Sequence, residues 1–100
     1  MTVLDSKADE SLLIHACLQQ RPFAWQSFAD RFLPTVLKTI QEIDVQTVRG
    51  WPESQHHELA RTIFWRLKQD DFQLLREWDN ATDFETWLVV LTRRIVLQAT

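Results

Sequence analysis

One apolar ridge constrains this chain more than any other feature. Between Pro22 and Ile40 the large side chains Trp25, Phe28, Phe32, Val36 and Ile40 return every three or four residues. That is the period of one helix face, not the two-residue alternation of a strand. Pro34 lies inside the pattern. A proline removes one backbone hydrogen bond and crowds the preceding turn, so the spacing predicts a helix that bends there and continues. Pro22 suits the first turn of this helix, where its missing N–H is no loss.

One glycine and three prolines in 100 residues leave little material for the tight turns of a sheet protein. The other segments follow the same helical period. Leu12, Leu13, Ala16 and Cys17 give an apolar face to a first helix running from about Ala8, behind a Ser6 cap, to Gln20. Pro52 either begins a third helix or precedes its Ser54 cap, and Leu59, Ile63, Phe64 and Leu67 form that helix's inner stripe. A loop with its own short turn, "QDDFQLLREWDNA", comes next. The last helix, Asp83 to Ala99, is about 25 Å long at about 1.5 Å per residue. Phe84, Trp87, Leu88, Leu91 and Ile95 share one of its faces, and Thr82 with Glu85 has the spacing of a capping box. The expected fold is all-α: a compact bundle of about four helices, one domain over residues 1–100, jointed at "DVQTVRGWPES". No Gly or Asn stop follows the last helix, so the expectation is that the natural chain continues past Thr100, the alternative being a frayed natural terminus.

Charge and cysteine usage narrow the function. A net charge of −3 argues against gripping nucleic acid through a broad basic field, so any such contact has to be local. The lone Cys17 rules out an internal disulfide and offers no cysteine pair for zinc. The start, "MTVLDSKADE", lacks the basic and apolar runs of a secretory signal. No apolar stretch reaches the roughly 20 residues of a membrane span. The expected location is therefore cytoplasmic, with no membrane partner.

Catalytic and metal-binding patterns find little support. His56 and His57 are adjacent on a helix and point about 100° apart, so they read as a solvated helix start and not as a metal pair. His15 and Cys17 diverge in the same way. No Gly-flanked serine and no Gly-rich phosphate loop is present. Neither an enzyme nor a cofactor is expected.

Two features remain. Trp78 sits in a polar loop, where an indole either folds back on the core, the commoner outcome, or docks onto a partner. Arg93 and Arg94 lie near the end of the last helix. They either complement its dipole or meet phosphates while an aromatic ring stacks on an unpaired base, worth roughly 1–3 kcal/mol per base.

In this order "SLLIHACLQQRPFAWQSFADRFLPTVLKTI", "HELARTIFWRL" and "DDFQLLREWDNATDFETWLVVLTRRIVL" resemble the region 2 domain of bacterial RNA polymerase sigma factors, in the extracytoplasmic-function group. The likeness runs from about Asp9 to Gln98 and rests on several spaced motifs. It implies a helical domain that docks on the clamp helices of the polymerase largest subunit and captures unpaired minus-ten bases of the non-template promoter strand. Carried across, Glu58, Arg61, Thr62 and Trp65 fall on the polymerase-facing helix. Trp78, Asp79, Asn80 and Thr82 fall in the base-capturing loop, and Trp87, Arg93 and Arg94 on the last helix.

The chain departs from that pattern at defined places. Arg61 and Thr62 stand where Gln and Glu are usual, which replaces a negative charge with a positive one on a surface meant for a basic partner. Glu85 stands where a basic residue is frequent, Arg94 where Asn is, and Gln98 where an acid is. Between Asp70 and Glu85 six acids face one arginine, Arg76, a field that repels phosphates. These departures keep a second function open: a diverged sigma-like module that works through protein contacts, with an anti-sigma factor or a signalling partner, and without DNA.

Overall fold

The ridge forms a helix as expected. The computed structural model of the chain describes residues 6–79 and 82–99. Within them α2, Ala24–Thr47, buries Phe28, Phe32, Val36, Ile40 and Ile43 along one face and runs unbroken through Pro34. Each such apolar side chain, removed from water, contributes about 1.5–3 kcal/mol before the entropy of ordering it is counted. The other helices are arranged to cover this face: α1 (Ser6–Leu18), α3 (Glu53–Phe72) and α4 (Phe84–Ala99), with a short 3-10 turn at Leu75–Glu77. Four α-helices and no strand are found among the described residues, so the fold is an all-α bundle.

Aromatic rings form a continuous line through the core. Trp25 stacks on Phe28 at 5.2 Å, Phe28 meets Phe32 at 4.9 Å, and Phe32 meets Phe84 of α4 at 5.0 Å. Phe84 in turn touches both Trp78 and Trp87. The ridge of α2 is thus coupled ring by ring to the loop ahead of α4. Edge-to-face and offset contacts of this kind add about 0.5–1.5 kcal/mol each beyond area burial.

Several local expectations need correction. Helix α1 already includes Ser6, so this residue does not precede the helix, and Leu12 points to solvent at 68% exposure. The buried apolar positions of α1 are Ile14 and Cys17, with Leu13 and Ala16 only half-buried. Pro22 lies in the turn before α2, because Arg21 N–H closes back on the Ala16 carbonyl and Phe23 adopts a left-handed φ of 64°. Pro52 precedes α3, its carbonyl accepting from the N–H groups of Gln55 and His56, and Ser54 lies inside the helix. At α4 the cap is Asp83, whose carboxylate accepts from Thr86 N–H at 3.2 Å. Glu85 turns away from the expected box and accepts from the Thr35 hydroxyl at 2.8 Å.

The α3 helix loses regular geometry at its end. Gln69 is extended, and Asp70, Asp71 and Phe72 follow with φ between 56° and 61°. Aspartate tolerates the left-handed region better than most residues, whereas phenylalanine is strained there. Burial of the Phe72 ring against Trp25, at 5.6 Å, offsets that strain. The turn is also tied to the end of α1. Gln20 Nε2 donates to Asp71 Oδ1 at 2.8 Å, and the Arg76 guanidinium donates to the carbonyls of Asp71 and Leu18.

Candidate docking and nucleic-acid surfaces

Two surfaces carry the residues singled out in the sequence. The first is the outer face of α3. Because Leu59, Ile63 and Leu67 point into the core, the residues three and four apart on the opposite side share a solvent face. Glu58, Arg61, Thr62 and Trp65 all lie on it and are exposed. Arg61 Nη1 approaches Glu58 Oε1 at 3.4 Å, and the Thr62 hydroxyl donates to the Glu58 carbonyl. Arg61 therefore has an acidic neighbour on its own helix. Trp65 ends the stripe with its side chain 62% exposed.

The second surface surrounds Phe84. Trp78 is half-buried, its ring edge-on to Phe84 at 5.1 Å, and its indole N–H donates to the Thr82 carbonyl at 2.9 Å. Trp87 stacks on the same Phe84 at 5.5 Å and is also half-buried. Folding back onto the core, the commoner outcome for a loop indole, is what Trp78 does, without being sealed from solvent. Asp79 and Thr82 are exposed beside it, and Asn80 lies outside the described residues. Trp78, Thr82 and Trp87 are thus brought together around one buried ring.

The two arginines separate. Arg93 is half-buried and donates to Gln46 Oε1 of α2 at 3.1 Å, whereas Arg94 is exposed. Seven helical residues return nearly to the same side, so Arg94 shares the Trp87 face about 10 Å further along, and Arg93 does not. Carboxylates dominate near the start of α4. Glu10 of α1 is pushed above its ordinary value mainly by burial. Arg31, 3.5 Å away, opposes that shift, and the carboxylates of Asp83 and Glu85 add to it. Arg76, the one arginine of the acidic segment, is committed to the Asp71 and Leu18 carbonyls.

The sequence reading missed a part-buried hydrogen-bonded pair. His56, expected in a solvated helix start, is half-buried, and its Nε2 lies 2.8 Å from Asp44 Oδ2. The same carboxylate accepts from Trp51 N–H. Asp44 continues the ridge step Val36, Ile40, and an acid on an apolar ridge was the legible signal that a partner had to come to it. No group of three or more potential metal ligands occurs among the described residues, and no helix among them is long and apolar enough to cross a membrane. Compared with protein-family models, curated proteins and solved structures, the chain matches none.

Proposed function

We propose that the chain is a sigma-like transcription initiation module that docks on the clamp helices of RNA polymerase through α3 and offers its Trp78–Trp87 edge to an unpaired promoter base. The observation that carries this reading is the α3 stripe. Four residues at helical spacing, Glu58, Arg61, Thr62 and Trp65, stand together on one exposed face. An indole left 62% exposed there is a costly arrangement unless a partner covers it. In this reading Trp65 packs against the partner helices, while Glu58 and Thr62 supply polar contacts. Trp78 and Trp87, held by Phe84, give a preformed aromatic edge for stacking, and Arg94 is the cation on the same side of α4. The module performs no catalysis and takes no cofactor.

The test is direct binding of the domain to a purified clamp-helix fragment of the polymerase largest subunit. Trp65→Ala is expected to weaken binding at least about tenfold, about 1.4 kcal/mol. No interaction with the fragment at low salt overturns the docking half of the proposal.

A second reading, a module acting through protein contacts alone, is favoured by two observations. The Trp78 indole N–H already has its acceptor in Thr82, and the one arginine of the acidic segment is used internally. Titration of a labelled single-stranded minus-ten-like oligonucleotide across a salt series separates the two. Binding that weakens with salt and with Trp78→Ala supports base capture, and absence of binding at low salt leaves the protein-contact reading.

A further inference from the structure

We propose that the groove between α2 and α4 is a docking site for a basic amphipathic helix of another protein, distinct from the α3 stripe. Two side-chain ties fix the geometry. Thr35 donates to Glu85 at one end, and Arg93 donates to Gln46 at the other, so α2 and α4 run side by side in the same direction. Between the ties lies a groove of about 480 Å³ lined by Pro34, Lys38 and Glu42 from α2 and by Glu85, Thr86 and Val90 from α4. A second hollow shares Lys38 and Glu42 and extends the surface to Val45 and Gln46. From Pro34 to Gln46 the surface is about 18 Å long, the length of about three helical turns.

Its chemistry selects the occupant. Val90 and Val45 are 52% and 77% exposed, which leaves an apolar track without cover among the described residues. Glu42, Asp83 and Glu85 border the groove against a single cation, Lys38. Lys38 and Glu42, four residues apart, make no ion pair among the described residues, so the Glu42 carboxylate is left for an incoming charge. Such an acidic border repels phosphates and attracts Lys and Arg. Apolar residues at three- and four-residue spacing on a helix of about three turns would cover Val90 and Val45, with basic residues flanking them over Glu42 and Glu85.

The experiment uses the whole chain and a fluorescein-labelled helical peptide of about 14 residues built from leucine and lysine, with a matched leucine and glutamate peptide as control. Fluorescence anisotropy is expected to show saturable binding of the lysine peptide only, weakened by salt, with methyl NMR shifts at Val45, Val89 and Val90. Glu42→Lys, at an exposed position that leaves the fold intact by circular dichroism, is expected to weaken it about tenfold or more. Val90→Asp is expected to do the same by placing a charge on the apolar track. Equal binding of the glutamate peptide, no effect of Glu42→Lys, or shifts confined to α3 each overturn the proposal. A single-stranded oligonucleotide that shifts the same methyls overturns it as well. Because Glu42 is remote in sequence from the α3 stripe, Glu42→Lys is expected to leave clamp-fragment binding unchanged, which separates this site from that one.

Discussion

Asp44 and His56 meet at 2.8 Å across the joint between α2 and α3, their side chains 11% and 13% exposed. The aspartate also takes the Trp51 N–H, and the Trp51 ring stands edge-on to the imidazole at 6.3 Å. One carboxylate thereby pins the end of one helix, the connecting strap and the start of the next. Removing either partner leaves the other buried without its match, the arrangement in which a polar pair matters most.

A pH dependence follows from this pair. The His56 hydrogen bond, followed by backbone N–H donors from Trp51 and Gly50, holds the Asp44 carboxyl below its ordinary 3.8 against the opposing effect of burial. A carboxyl depressed in the folded chain contributes stability in full above its ordinary value, and that contribution is lost as the pH falls through the lower folded value. Asp44→Asn is therefore expected to lower the urea midpoint at pH 7, and the gap from the unaltered protein is expected to narrow below pH 3.8. A gap that stays constant from pH 7 down to pH 2.5 contradicts this account.

Phe84 is the ring on which the loop, α2 and α4 converge, touching Phe28, Phe32, Trp78 and Trp87 while 1% exposed. Truncation leaves a cavity that four rings cannot all collapse into. Phe84→Ala is expected to cost about 3–5 kcal/mol in chemical denaturation. The fluorescence of Trp78 and Trp87 is expected to shift toward that of exposed indole. A loss under about 1 kcal/mol means that the rings are less interdependent than their spacing indicates.

Thr92 is fully buried on α4, and its hydroxyl has no hydrogen-bond partner among the described residues. A buried hydroxyl left unpaired forfeits its hydration with nothing in return, so an apolar group of the same shape is better tolerated. Thr92→Val is expected to raise stability by about 1 kcal/mol in urea unfolding. A loss of stability points to a partner for the hydroxyl and refutes the prediction.

How much of this was legible from residue order differs by element. Phe28, Phe32, Val36 and Ile40 were readable because one period fixes both the helix and its inner face. In α1 the stretch from Leu12 to Leu18 is apolar on almost every side, so its rotation depends on the surface that α2 offers, and Ile14 with Cys17 faced inward instead of Leu12. Thr82 and Asp83 are both competent caps, and the turn before α4 selects between neighbours with the same chemistry. Arg93 and Arg94 differ by one residue, about 100° of rotation, which is enough to give one a partner on α2 and leave the other in water. The Asp44–His56 pair joins two helices across a joint, a relation that periodicity within a single helix does not encode.

Cys17 is buried on the inner side of α1, and burial pushes its thiol up to about 11 from an ordinary 9.0. The thiolate is the reactive form, so the folded protein holds about a hundredfold less of it at a given pH than the unfolded chain, one factor of ten per unit. Reaction with a disulfide reagent at pH 8 is expected to be at least about that much slower in buffer than in concentrated urea. Comparable rates in the two conditions mean that α1 opens readily from α2.

Trp65 separates stability from binding more cleanly than any other position. Its neighbours on the inner side of α3, Ile63 and Leu67, are fully buried, while its own ring is 62% exposed. Removing a side chain that contributes little to the core leaves the unfolding free energy nearly unchanged, within about 0.5 kcal/mol. The same indole, if covered by partner helices, becomes the kind of aromatic anchor that dominates an interface. Trp65→Ala is therefore expected to keep the denaturation midpoint while lowering affinity for the clamp-helix fragment at least about tenfold. Trp78→Phe is the complementary variant. It keeps the ring against Phe84, loses the hydrogen bond to Thr82 at a cost of about 0.5–1.5 kcal/mol, and leaves clamp binding unchanged. If Trp65→Ala unfolds the protein or leaves binding intact, the outer face of α3 is not the docking surface.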